Sequence, residues 1–207
     1  MPNRFLERLA RCLVGLAFFG FGIALFLESH LGVPPWDVFH KGLADKLDVS
    51  IGNVIIGVGV LLLLLWIPLR QKPGLGTILN AIEIGLVVNV AKDLLGEPEE
   101  LWIRGLMLVG GLLVIGFGSA LYIGAGLGPG PRDGLMTAFA RRGHPLWLVR
   151  TVLEFSSLAV GYALGGDVGV GTVLIACSIG PLAHWFLARL HLGVPGADPQ
   201  PEASLGE

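Results

Sequence analysis

An all-α membrane protein is predicted here, with six transmembrane helices arranged as a 3+3 inverted internal repeat and a short amphipathic loop helix in each copy. Three observations predict it: the apolarity of the chain, its six long apolar stretches, and a self-match at an offset of 96 residues. Of 207 residues, 53% are apolar and only 14% charged, and the mean hydropathy is +0.74. A water-soluble domain carries charge on roughly a quarter of its residues, so the solvent of this chain is lipid. A net charge of -2 without a basic stripe lacks the footprint that neutralises phosphates, which excludes nucleic acid as a partner. Cys12 and Cys177 lie in apolar runs and form neither a CxxC pair nor a disulfide framework.

A span needs about 20 mostly apolar residues, at 1.5 Å each, to cross a core of roughly 30 Å. Six stretches qualify, at about 8–29, 50–69, 75–94, 103–126, 146–166 and 169–190. The first follows Arg4, Arg8 and Arg11, the charge order of a signal peptide, but no small-residue cleavage site comes after it, so it reads as a helix. The stretch 193–207 is polar, rich in Pro and Gly, and reads as a disordered tail. With the N-terminus in the cytoplasm, ten Lys and Arg side chains gather on that side, among them Arg70, Lys72, Arg132, Arg141, Arg142 and Arg150. The other side has four, Lys41, Lys46, Lys92 and Arg104, which orients both termini inward in the cell (inner) membrane.

The self-match lays Gly20–Lys46 over Gly116–Arg142 without a gap, with 10 of 27 positions identical. Composition alone would give roughly two or three. Arg8 matches Arg104, Gly22 matches Gly118, Pro35 matches Pro131 and Asp37 matches Asp133. With one residue dropped, the segment from Gly74 lies over that from Gly169. The copies are 1–98 and 99–192, and three spans per copy is an odd number, so the second enters from the opposite side. The repeated segments Trp36–Asp48 and Arg132–Arg142 reach only about 18 Å and carry several charges, too little to span. They read as short amphipathic helices lying at the membrane surface or dipping into a protein-lined cavity, started by Pro35 and Pro131. Asp37 and Asp133 then fall in a first turn, where helix capping and a functional role compete.

Gly20, Gly22, Gly116 and Gly118 suit close helix packing in lipid. Gly124, Gly126, Gly128 and Gly130, interleaved with Pro129 and Pro131, suit irregular backbone along a cavity. Glu83 and Glu154 each fall eight residues into a span, about 12 Å deep. A carboxylate there faces a cavity or a partner and marks an ion or proton path, or else is neutral and hydrogen-bonded to a neighbouring helix. Asn80 shares a face with Glu83. His184 reads as an interfacial residue, and Pro181 is expected to kink the last span. Arg132 beside Asp133 suits an anionic group, although a positive-inside anchor is the reading favoured at this point. No HExxH, GxSxG, P-loop or cluster of metal-ligating side chains at short spacing occurs, so no enzyme, cofactor or metal is expected.

The motifs LGVPPWDVFHKGL from Leu31 and LGPGPRDGLM from Leu127, with GLGT at Gly74 and GVGT at Gly169, resemble those of the YczE/YyaS/YitT family of bacterial integral membrane proteins, nearest its YczE-like branch. The resemblance runs from about Arg4 to Arg189. It implies a five- or six-helix inner-membrane protein and brings no substrate. The functional expectation is a small secondary transporter for a small molecule or ion, because inverted repeats recur in transporters. Glu83, Asn80 and Glu154 are the binding candidates, Trp36 with Asp37 the outer gate, and Arg132 with Asp133 the inner gate. The bilayer is the expected surrounding, and a second copy of the chain is a candidate partner. The alternative is an accessory protein supporting another membrane or biosynthetic complex.

Overall fold

The computed structural model describes residues 2–190, so the tail predicted for 193–207 lies outside the described residues. Eight helices follow one another: α1 (Pro2–Ser29), α2 (Pro35–Leu47), α3 (Ile51–Trp66), α4 (Leu75–Leu95), α5 (Leu101–Gly124), α6 (Pro131–Ala140), α7 (Leu146–Ala163) and α8 (Val170–Leu190). The described residues contain no strand. All six predicted stretches are helical, and the short helices α2 and α6 occupy the two repeated loops.

Three of the helices, α1, α5 and α8, are long and apolar enough to cross a membrane. A fourth span results if α2 and α3, bent by 113° at a short break, are counted as one broken crossing. The other predicted spans are shorter or more polar. Helix α4 has 21 residues but is interrupted by Asn80, Glu83, Asn89, Lys92 and Asp93, and α7 has 18 with Arg150 and Glu154 among them.

The surface has the polarity that lipid demands. On α4, Leu75, Ile78, Ile82, Leu86, Val90 and Leu94 recur every three or four residues and are all exposed. Its buried side carries Gly76, Thr77, Ala81, Gly85 and Ala91 along with Ile84 and Val88. A continuous apolar stripe on the outside with small residues within is the pattern of a helix that faces hydrocarbon and packs closely on its neighbours.

At the centre α1 and α5 run antiparallel and touch backbone to backbone. A Cβ on Gly118 would lie 2.7 Å from the Gly15 carbonyl oxygen, and one on Gly22 would lie 3.0 Å from that of Gly111. Cys12, Leu16 and Phe26 are fully buried beside this crossing. Each helix also caps the other. Arg8 Nε donates to the Ala125 carbonyl at 2.7 Å and its Nη2 to that of Gly126 at 2.6 Å, while Arg104 Nε donates to the Ser29 carbonyl at 2.7 Å. A guanidinium at a helix C-terminus satisfies orphan carbonyls and meets the negative end of the dipole.

Around this pair α4 packs on α1 and α8 on α5, while α2 packs on α7 and α6 on α3. The close approaches again fall on glycine. Gly161 of α7 backs onto the Val38–Phe39 backbone of α2, and Gly134 of α6 lies under the Trp66 indole of α3.

Candidate functional site

Helices α2 and α6 dip into the protein, and their entry turns are built alike. Gly32 has φ +118° and Gly128 φ +122°, a region that favours glycine. The turn carbonyls are taken up by the first amides of distant helices. The Gly171 N–H of α8 donates to the Leu31 carbonyl at 2.8 Å, and the Gly76 N–H of α4 donates to that of Leu127 at 2.9 Å. Thr172 and Thr77 hydroxyls accept from the N–H groups of Gly169 and Gly74, at 3.2 and 3.1 Å. Pro35 and Pro131 then start the helices, where a missing N–H costs nothing.

Both aspartates lie in the first turn, but neither makes a side-chain capping bond. Asp37 accepts from His40 Nδ1 at 3.1 Å, and the pair is buried. Asp133 Oδ2 accepts from the Tyr122 hydroxyl at 3.4 Å, and that hydroxyl accepts from the Gly130 N–H at 3.0 Å. The Trp66 indole N–H donates to the Pro131 carbonyl at 3.0 Å, tying α6 to α3. Asn80 of α4 borders the same turn: a Cβ on Gly130 would meet its Nδ2 at 3.4 Å and Asp133 Oδ2 at 3.3 Å. Trp36 is buried with its indole N–H unpartnered among the described residues.

Arg132 is half-buried, in the fields of Asp133, Glu154 and Asp37. Burial opposes its charge, but the three carboxylates, with Tyr122 adding to them, prevail and hold its pKa above the ordinary arginine value. Arg132 is thus half-buried in an acidic surrounding to which three helices contribute. Asp37 and Arg132, assigned by sequence to opposite faces, share one electrostatic neighbourhood because α2 and α6 both fold inward against α7 and α3.

The other candidates divide. Asn80 joins the α6 turn and Glu154 the Arg132 cluster. Glu83 is half-buried on α4, which packs on α1, and its Oε2 is buried without a partner among the described residues. Exposed His184 and the exposed Pro181, which lies inside an α8 that continues to Leu190, touch none of this.

Sequence reasoning missed His40, Tyr122 and Trp66, although a tyrosine in an otherwise apolar span was a usable signal. It also found no cluster of metal-ligating types, whereas the fold brings ligand atoms of Glu28, His30 and Glu97 within 4.8 Å of one another. Glu28 is buried and already faces Lys92 Nζ at 3.4 Å, so its charge has a partner.

Exposed apolar stripes, three helices long and apolar enough to cross and a charged interior together define an all-helical membrane protein. The chain belongs to the Family of unknown function (DUF6198), whose model matches residues 6–188. It is similar to the "Uncharacterized protein" of Haemophilus influenzae (strain ATCC 51907 / DSM 11121 / KW20 / Rd), 41% identical over 84% of this chain and 81% of the relative. It is similar to the "Uncharacterized membrane protein YczE" of Bacillus subtilis (strain 168), 33% identical over 84% of this chain and 83% of that one. The "Uncharacterized protein YyaS" of the same organism is 27% identical over 84% of this chain and 89% of its own length. These matches establish the YczE/YyaS relationship. No solved structure matches the chain.

Proposed function

We propose that this protein is a small secondary transporter of the cell (inner) membrane, six-spanning, with both termini in the cytoplasm and two inverted three-span halves. The observation that carries the reading is the reciprocity of the contacts. Arg8 caps α5 as Arg104 caps α1, Gly15 meets Gly118 as Gly111 meets Gly22, and the Leu31 carbonyl is bound by Gly171 as that of Leu127 is by Gly76. Each pair joins residues matched in the self-alignment, and contacts of this kind suit halves related by a twofold axis in the membrane plane, the architecture of many transporters. The exchange of short helices, α2 onto α7 and α6 onto α3, fits the same relation.

The site favoured by this reading is the cluster of Arg132, Asp133, Glu154 and the Asp37–His40 pair, with Trp36 and Asn80 at its edge. Ionisable groups inside a membrane protein are costly and mark substrate or proton paths. Glu83, deep in α4 with an unpartnered oxygen, is the second candidate for coupling. The test compares metabolites in cells and medium for a deletion strain and its parent, then measures pH-driven flux of the accumulated compound in vesicles. Glu154→Gln and Glu83→Gln are expected to lower that flux at least tenfold, and unchanged flux removes them from the mechanism. Loss of an unrelated pathway's product, with no compound trapped on one side, favours the accessory reading.

A further inference from the structure

The two halves differ most in how the third and fourth helices of each copy meet. In the first half α3 closes on α4. The Gly52 N–H donates to Asn89 Oδ1 at 3.0 Å, Asn89 Nδ2 donates to Asn53 Oδ1 at 3.2 Å, and a Cβ on Gly59 would stand 3.3 Å from Ala81. A Cβ on Gly85 would run into the Gly52 carbonyl. The matching face of α8, 95 residues further along, is Ala176, Gly180 and His184, in the places of Ala81, Gly85 and Asn89. All three are exposed, and around Gly180 there is open space among the described residues. Helix α8 packs on α5, and α7 makes no comparable contact with it.

A face of small residues at i, i+4 and i+8 could simply meet lipid. Here its counterpart on α4 receives a helix, which identifies the missing occupant as α7, the counterpart of α3. The residue that holds them apart is legible too. Glu154 stands where Gly59 stands in α3, and Gly59 is the position that lets α3 touch Ala81. A glutamate side chain in that place keeps α7 from approaching Ala176 as closely as Gly59 lets α3 approach Ala81.

We propose that α7 and α8 form the moving gate of this protein: in a second conformation α7 docks on the Ala176–Gly180–His184 face, as α3 docks on α4, and Glu154 is the wedge that holds the seam open in the conformation described here. The inference rests on the paired-halves reading and identifies its moving part. The two ends of α7 differ in the freedom they have. Its C-terminal turn is fastened to α2 at Gly161, while Leu146, Trp147 and Leu148 at its start are exposed. Rotation about the fastened end would carry the free end toward His184.

Cysteines at Leu148 and His184, the counterparts of Asn53 and Asn89, with Cys177→Ala as background, test this by oxidation in native membranes. Asn53→Cys with Asn89→Cys is the control for a closed seam and should cross-link fully. The expected result is partial cross-linking of the 148/184 pair within one chain, rising several-fold with Glu154→Gly. No cross-link where the control reacts overturns the proposal, and a cross-link only between two chains overturns it in favour of a second copy on this face. Should Glu154→Gly fail to fold, spin labels on the same two positions in the Glu154 protein give an independent reading: two distances support the gate, and a single long one refutes it. The readout needs no substrate, so a failure to find transport and a failure of the gate are separate outcomes.

Discussion

Gly118 and Gly110 lie on the same helix eight residues apart, and replacing each by alanine should move stability in opposite directions. At Gly118 the new methyl would stand 2.7 Å from the Gly15 carbonyl oxygen and 2.8 Å from the Phe19 nitrogen, both backbone atoms of α1. Neither can rotate away, so α1 and α5 must part by several tenths of an ångström along a crossing that also buries Leu16 and Phe26. Overpacking of this kind costs about 1–3 kcal/mol. At Gly110 nothing lies within 4 Å of the new methyl among the described residues, and the substitution only removes backbone freedom from the unfolded chain. It should add about 0.5–1 kcal/mol. Reversible unfolding in mixed micelles, followed by tryptophan fluorescence, measures both. A Gly118→Ala protein as stable as the parent, or an equal loss from Gly110→Ala, would refute the backbone-to-backbone crossing.

Arg104→Ala and Arg8→Ala should each lose about 1.5–3 kcal/mol in the same assay, since each removes charge-assisted bonds from the partner helix's last carbonyls. Tyr122→Phe removes the acceptor of the Gly130 N–H and should cost about 1–3 kcal/mol, with faster amide exchange at the start of α6. Arg132→Gln, which removes a half-buried cation near Asp133, Glu154 and Asp37, should destabilise more than Arg142→Gln at an exposed helix end, which should cost under about 1 kcal/mol.

The helices were legible because hydropathy and breakers are local signals. The predicted loop helices Trp36–Asp48 and Arg132–Arg142 differ from α2 and α6 by one or two residues at each end, since a proline at the first helical position marks each start. The roles of the glycines at 22 and 118 were also readable from the self-match. What local pattern could not supply was the choice of partner. That α2 packs more on α7 than on its own half follows from the backbone fit at Gly161, more than a hundred residues away in the chain. Arg8 and Arg104 were legible as topogenic charges and as matched positions of the repeat but not as caps, because the carbonyls they bind lie more than seventy residues away in the chain. The acidic surrounding of Arg132 was hidden for the same reason: Glu154 and Asp37 come from α7 and α2. The Glu28–His30–Glu97 group joins the end of α1 to the α4–α5 connection, so no short spacing announces it.

The central claim, that the halves are inverted in the membrane, is tested most directly by labelling single cysteines at Lys46 and Arg142, exposed positions at the ends of the two short helices, with Cys177→Ala as background. A membrane-impermeant maleimide applied to intact cells should label the cysteine at position 46 and leave that at 142 untouched until the inner membrane is opened. Labelling of both positions from the same side would contradict the inverted arrangement and, with it, the transporter reading built on it.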